Sequence, residues 1–227
     1  MKNIRTFALI IATLLLSTSI SRAQFNTPEA GGAFTLNFIG TMPMGDFGKA
    51  TTPPTLFSPS IYNFENCGNA VFGGGLGFKG GYQFYFGMGI FLSADAMWNQ
   101  LNNDMLTCYS FRKKTKPNYL NFPILFGLDY KCHFGDVFGL YIEGATGLGL
   151  LYVTQEGWES NMTKYKLSTA FAYEGGLGIL LGDHFSIGVH YYMCGKHKIS
   201  IKNEQASYLQ PALLKVDMLA LKIGFMF

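Results

Sequence analysis

The chain has 227 residues, which suits one domain of ordinary size, but its composition is unusual. Charged residues make up 14%, hydrophobic residues 48% and aromatic residues 16%, with 28 glycines, whereas a soluble domain has about 25% charged residues. The net charge of +3 shows no basic excess of the kind that indicates nucleic-acid binding. A surface this poor in charge is either hidden or in contact with lipid.

The chain begins with the features of a secretory signal peptide. Two basic residues, Lys2 and Arg5, precede a short apolar run, and small residues ending at Ala23 follow it. We predict cleavage after Ala23, which gives a signal peptide over 1–23 and a single domain over 24–227. The apolar run is too short to cross a bilayer as a helix. Because the leader carries three of the 17 basic residues, the remainder is balanced against the 14 acidic residues.

Beyond the leader, apolar and polar residues alternate in eight segments. Successive side chains of a strand point to opposite faces, and a membrane barrel presents apolar side chains outward along every strand. The alternation predicts an all-β fold: a single antiparallel up-and-down transmembrane β-barrel of about eight strands, preceded by a cleaved signal peptide. The segments lie near 34–38, 71–82, 86–99, 118–131, 137–153, 166–181, 185–194 and 219–227.

The connections between these segments alternate in length. Long connections are interleaved with short ones near Gln83, Gly135 and Gly182. Outer-membrane barrels show this asymmetry, with short periplasmic turns and long external loops, so we expect both termini in the periplasm. The long connections are predicted at 41–70, 100–117, 154–165 and 195–215.

The second face of the predicted strands carries charged residues among glycines. An eight-stranded barrel is only wide enough for side chains to fill, and an unpaired buried charge is costly. We therefore expect these charges to pair and plug the lumen; the alternative is a narrow diffusion channel. Acids outnumber lysines in the set, which leaves open bound waters, a protonated carboxyl or a wrong facing assignment. The predicted lumen charges are Lys79, Asp95, Asp129, Glu143, Glu174, His190 and Lys222.

Two basic clusters fall in the predicted external loops. Lysine and arginine at that level would lie beside the phosphates of outer-leaflet lipopolysaccharide, where charge-assisted hydrogen bonds form. A plain solvated loop is the alternative. The clusters are Arg112, Lys113, Lys114 and Lys116, and then Lys196, Lys198 and Lys202.

Four cysteines follow the leader into a compartment where disulfides form. Their spacing fits no metal or redox motif. Cys67 and Cys108 flank the second and third predicted strands on the external side, so we favour a disulfide between them. Other pairings stay open.

Several stretches resemble the outer-membrane β-barrel domain family, which includes PorT-like proteins and small porin-family barrels. They are the leader boundary at Ala23, the strand 119–125 with sequence YLNFPIL, the glycine-rich stretch 173–178 and the strand that closes on Phe227. Asn121 departs from the glutamate that the family often has there. The terminal aromatic Phe227 is similar to the signal read by the outer-membrane insertion machinery.

The resemblance implies the cell outer membrane of a Gram-negative bacterium as the location. From the residues we also expect contact with outer-membrane lipid, lipopolysaccharide and the insertion machinery, with no nucleic acid, cofactor or metal. We expect a structural, surface-interaction or envelope-support role. The alternatives are a narrow diffusion channel and an accessory component of a protein-secretion apparatus.

An enzyme is a further alternative because His184 and Ser186 resemble the His-x-Ser pair of lipid A deacylase barrels. The two residues fall at a predicted periplasmic turn, and no acid follows at a suitable strand position. We therefore expect no catalysis.

Overall fold

The computed structural model describes residues 30–50, 66–102, 118–135, 137–154, 156–158, 161–202 and 211–227. Eight long strands in this range close into one antiparallel barrel, which confirms the predicted fold class. The leader lies outside the described residues and stays a prediction. The long strands are β1 (Gly31–Met44), β2 (Ala70–Gln83), β3 (Met88–Leu101), β4 (Asn118–Phe134), β5 (Phe138–Val153), β8 (Ser168–Leu181), β9 (Phe185–Ile199) and β10 (Ala212–Met226).

Three short elements accompany the barrel strands. Helix α1 (Gly45–Gly48) follows β1 directly, and strands β6 (Glu156–Trp158) and β7 (Asn161–Thr163) form a separate two-stranded sheet. Around the barrel the strand order is β1, β10, β9, β8, β5, β4, β3, β2. Each strand therefore neighbours the next long strand in sequence, and β1 closes on β10 with Thr35 opposite Met226 and Met44 opposite Asp217.

The two ends of the barrel differ. One end, here called the turn end, carries the tight turns after β2, β4 and β8 together with the start of β1 and the end of β10. Gly87, Gly135 and Gly182 have φ angles of 86°, 76° and 61° in these turns, and such left-handed backbone favours glycine. The opposite end, here called the loop end, carries the long connections that the sequence predicts.

The barrel exterior is apolar. In β3 every second side chain from Met88 to Trp98 is exposed and the intervening ones are buried. Large apolar side chains stand fully outward on other strands too, with Phe72 72% and Leu177 65% exposed. A water-soluble protein does not expose an apolar surface this extensive, so this surface faces lipid. No helix among the described residues is long and apolar enough to cross a bilayer.

The strands at the loop end run further than the alternation predicts. β9 continues to Ile199 and β10 begins at Ala212, so the predicted connection 195–215 shrinks to the residues between them. The reason is that the outward positions of the extended part hold Lys196 and Lys198. There β9 carries lysines outward and His197 and Ile199 inward, so the apolar-outward alternation of the membrane span ends.

Candidate functional site

The half of the lumen nearer the turn end holds a network of ion pairs. The Lys79 ammonium on β2 donates to Asp129 Oδ2 at 2.8 Å and to Glu143 Oε2 at 2.5 Å. The two acids lie on β4 and β5, and both are buried. One lysine therefore neutralises carboxylates from two other strands.

A second lysine forms a similar centre. Lys222 on β10 donates to Glu174 Oε1 at 2.6 Å and lies 3.2 Å from Asp95 Oδ2. His190 Nδ1 lies 2.8 Å from Glu174 Oε1 and 3.2 Å from Glu143 Oε1, so it links the two lysine centres. The structure thus places all seven predicted lumen charges inside the barrel and in one network.

Three members of this network are absent from the sequence-based set. Lys131 Nζ lies 3.9 Å from Asp129 Oδ2, the Tyr141 hydroxyl lies 3.0 Å from His190 Nε2, and the Tyr192 hydroxyl donates to Asp95 Oδ2. Lys131 stands two residues after Asp129 and so lies on the same face of the strand. This spacing is the feature of the sequence that indicates an inward-facing Lys131. With Lys131 included, three lysines and one histidine face four carboxylates, so the predicted set of inward charges was incomplete and the excess of acids over lysines falls to one.

Inward-facing glycines make room for this network. A methyl group at Gly77 would overlap the carboxylate of Asp95, and one at Gly176 would overlap the imidazole of His190. The glycines of these strands therefore have a steric role: they let charged side chains lie across a narrow lumen.

The half of the lumen nearer the loop end holds an apolar cluster, interspersed with buried polar residues such as Asn99, His197 and Asp217. Phe47 of α1 is 0% exposed and packs edge-on against Tyr119, with ring centroids 5.0 Å apart. The Tyr119 hydroxyl donates to the Gly68 carbonyl, and the Gly68 amide donates to the Asp46 carbonyl at 2.7 Å. Helix α1 and residues 67–69 therefore form a cap over the loop-end half of the lumen. Both belong to the segment 41–70, which the sequence predicts to be an external loop.

Within the described part of the chain, the ion-pair network leaves only small cavities around its members in the turn-end half of the lumen. The described side chains leave cavities of about 20 Å³ and about 10 Å³, both bordered by Lys79 and Lys131. Each has room for about one water molecule.

One group of metal-type ligands occurs among the described residues. Oxygen and nitrogen atoms of Glu143, Glu174 and His190 lie within 4.8 Å of one another. Lys79 and Lys222 already donate to the two carboxylates. These ammonium groups occupy the position that a metal cation would take beside the carboxylates. The cluster is therefore part of the ion-pair network.

The basic cluster on β9 lies at the loop end. Lys196 and Lys198 are exposed on the outward face of β9, and Lys202 is exposed beyond it. The Lys202 amide donates to the Lys164 carbonyl at 2.7 Å, which brings a further lysine alongside. Lys215 of β10 lies directly opposite Lys196 and is also absent from the sequence-based set. The cluster Arg112, Lys113, Lys114 and Lys116 lies outside the described residues.

Cys67, Cys132 and Cys194 are not bonded to one another. Cys108 lies outside the described residues, so its pairing with Cys67 stays a prediction. Phe227 closes the barrel seam through backbone hydrogen bonds in both directions with Phe34, at 2.8 Å and 3.2 Å.

His184 and Ser186 do not form a catalytic pair in the described structure. Ser186 is buried and faces the lumen, and a methyl group at Gly224 would touch its hydroxyl. His184 is exposed at the turn end, where its Nδ1 lies 3.3 Å from the Met226 carbonyl oxygen.

A closed barrel with a lipid-facing exterior and a filled interior defines the class of this protein: an eight-stranded transmembrane β-barrel of the outer-membrane type. No family model matches the chain, and no curated protein matches it in sequence. Among solved structures it is similar to the outer membrane protein OprG from Pseudomonas aeruginosa, at 16% identity and a TM-score of 0.51, over 88% of this chain and 98% of that chain.

Two further solved structures are similar over 88% of this chain. The attachment invasion locus protein Ail of Yersinia pestis is 14% identical over 100% of its chain, with a TM-score of 0.48. Neisserial surface protein A is 10% identical over 98% of its chain, with a TM-score of 0.46. The likeness to OprG shows a shared fold.

Proposed function

We propose that this chain is an integral protein of the Gram-negative outer membrane with a structural, surface-interaction or envelope-support role, a non-conducting lumen and no catalysis. The observation that carries the proposal is the hydrogen bond from the Tyr192 hydroxyl to Asp95 Oδ2. It joins β9 and β3, which stand four places apart in a closed order of eight strands and so lie on opposite walls.

Further contacts support a closed lumen. The ion pair of Lys79 with Glu143 joins β2 to β5, and that of Lys222 with Asp95 joins β10 to β3. Each of these pairs spans three places in the strand order. An ion crossing the barrel would have to break these contacts and displace the apolar cap around Phe47.

The proposal includes export and insertion. Residues 1–23 act as the cleaved signal peptide, 24–227 form the barrel domain, and Phe227 is the residue that the insertion machinery reads. The resemblance to PorT-like proteins supports a role as an accessory component of a secretion apparatus, with a protein partner in the envelope. Crosslinking in intact cells tests that finer role, and recovery of the protein without an envelope partner argues against it.

The proposal also includes the external surface. Lys196, Lys198 and Lys202 contact lipopolysaccharide phosphates, as do Arg112, Lys113, Lys114 and Lys116. Exposed lysines on the outward face of β9, next to the end of the apolar belt, support this placement. A disulfide between Cys67 and Cys108 belongs to the same external region.

Single-channel recording tests the function. Purified full-length protein, reconstituted into planar bilayers, is expected to give no steady conductance steps, while a general porin added to the same bilayer shows that the assay responds. Steady steps would favour the diffusion channel. Separation of membranes on a sucrose gradient tests the location, and a protein absent from the outer-membrane fraction would contradict it.

Catalysis has its own test. Replacing Ser186 with alanine is expected to leave the lipid A of the cell unchanged, as judged by mass spectrometry. A difference in acyl-chain number between Ser186→Ala cells and wild-type cells would show that the protein is an enzyme.

A further inference from the structure

The lipid-facing wall of the barrel contains an apolar groove at the seam between β10 and β1. Its volume is about 310 Å³, which is at the lower end of the range of about 300–1,000 Å³ for ligand sites. Gly40 of β1 lies opposite Gly74 of β2, and both occupy outward positions of their strands. No side chain therefore fills the surface there. The walls of the groove include Met42, Phe72, Val189, Leu219 and Leu221.

Three lysines stand beyond the groove on the same wall, toward the loop end. Lys196 and Lys198 lie on β9 and Lys215 lies on β10; they are here called the lysine triplet. Lys215 is four residues beyond Leu219, so the triplet begins about 13 Å from the groove at roughly 3.3 Å per residue. Acyl chains of membrane lipids span a distance of this order.

The lysine triplet has a charge arrangement that an anion would stabilise. Lys196 lies directly opposite Lys215 in the β9–β10 register, and like charges placed opposite each other on neighbouring strands repel. Asp217 accepts one hydrogen bond from Lys215 at 2.7 Å. The remaining N–H groups of both ammonium ions are available to a second anion.

We propose that the groove and the lysine triplet together bind one phosphorylated glycolipid of the outer leaflet, of the lipid A type. One acyl chain lies over Gly40 in the groove, and a phosphate receives charge-assisted hydrogen bonds from Lys196 and Lys215. The inference rests on the proposed function, because the loop end meets such a lipid only if it faces the cell exterior.

The polarity of the surface selects this occupant over a second copy of the barrel. The groove is apolar and lies within the lipid-facing belt, while the cations stand at one end of it. That order matches an acyl chain followed by a phosphate. A second copy seated on the groove would place its own lysine triplet near this one and would add repulsion.

Native mass spectrometry of full-length protein in nanodiscs of phosphatidylcholine with added lipid A tests the proposal. The wild type is expected to retain one lipid A molecule when detergent releases the protein from the nanodisc. A dephosphorylated lipid A is expected to bind more weakly. Replacing Lys196 and Lys215 with glutamine removes hydrogen bonds to a charged group, and we expect a loss of about ten-fold or more in apparent affinity.

A matched pair of glycine variants tests the groove. Gly40→Leu fills it, and because a Cβ at Gly40 meets nothing within 4 Å the barrel accommodates the side chain. We expect Gly40→Leu to lower lipid A retention several-fold. Gly175→Leu is the control, since Gly175 is also exposed with nothing within 4 Å of its Cβ but lies on β8. Folding of each variant is checked by its gel mobility before and after heating.

Three outcomes would overturn the proposal. They are equal retention of the two lipid A forms, equal loss in the Gly40→Leu and Gly175→Leu variants, and barrel dimers that Gly40→Leu abolishes. Each leaves the proposed outer-membrane location and non-conducting lumen standing, because location and conductance are measured separately. Loss of the outer-membrane location would instead remove the proposed function.

Discussion

The hydroxyl of Tyr192 donates a hydrogen bond to the carboxylate of Asp95 across the lumen, between strands on opposite walls of the barrel. Lys222 lies on the same carboxylate oxygen, 3.2 Å away. On the loop-end side of this contact the interior holds the apolar cluster capped by α1, with a few buried polar residues, and on the turn-end side it holds the ion-pair network. The lumen is therefore built as two layers with different chemistry.

Gly176→Ala is expected to destabilise the barrel, because the added methyl group overlaps the imidazole of His190 inside the lumen. Overpacking of this kind costs about 1–3 kcal/mol. Urea unfolding followed by tryptophan fluorescence measures the free energy. Gly175→Ala, one residue away on the lipid-facing side, is the control and should unfold like the wild type; an equal loss in both variants would contradict the steric role.

Lys222→Met is expected to cost about 3–5 kcal/mol in unfolding free energy, because it leaves Glu174 and Asp95 buried without their shared cation. Adding Glu174→Gln to the same chain should recover part of the loss, since one buried negative charge is removed. The exposed Lys196→Met serves as the control and should be near neutral. If Lys222→Met unfolds at the wild-type urea concentration, the network does not hold the barrel together.

Tyr192→Phe removes the cross-lumen hydrogen bond and keeps the ring. We expect a loss of about 1–3 kcal/mol, because Asp95 loses a partner while it stays buried. Tyr173→Phe, on the lipid-facing side of β8, is a matched change that should cost little. Thermal unfolding of both variants in the same detergent provides the comparison.

Phe47→Ala is expected to open the cap at the loop end. The substitution removes the ring that packs on Tyr119. Cys194 is 4% exposed in the loop-end half of the lumen, and we expect it to become accessible once that ring is gone. A membrane-impermeant maleimide should label Cys194 faster in this variant than in wild type. Phe38→Ala, which removes a lipid-facing ring, should leave the labelling rate unchanged, and unchanged labelling in Phe47→Ala would show that the cap does not control access.

The predicted disulfide is tested by a free-thiol assay. Denatured, unreduced protein should show Cys67 and Cys108 unreactive toward a thiol reagent, with Cys132 and Cys194 reactive. Reaction of both Cys67 and Cys108 without reductant would refute the pairing.

The strands of the barrel and the faces of their side chains were predictable, because both follow from the alternation of residues two apart in the sequence. Alternation of Leu219, Leu221 and Ile223 with Ala220 and Lys222 identifies a strand and assigns each side chain to a face without knowledge of its neighbours. The same parity places Asp129 and Glu143 in the lumen. It also applies to Lys131, which ends the predicted segment 118–131 and lies inside β4 in the structure.

The cap was not predictable in this way. Phe47 lies in a four-residue helix with no side-chain cap hydrogen bond, and no repeating pattern leads to it. Its burial depends on Tyr119, which lies 72 residues further along the sequence and on a strand from another part of the barrel. Nothing local to either residue encodes that contact.

The sequence by itself determined the strands, their lipid-facing and inward faces, and the identity of seven charges that enter the lumen. Only the closed barrel decided which of those charges meet, because closure and register bring β9 against β3 across the lumen and β2 toward β5. The same closure formed the groove at Gly40, whereas the register of β9 against β10 placed Lys215 opposite Lys196. The face on which a side chain lies follows from the two-residue alternation of its own strand. Its partner across the lumen depends on the register of every strand between the two.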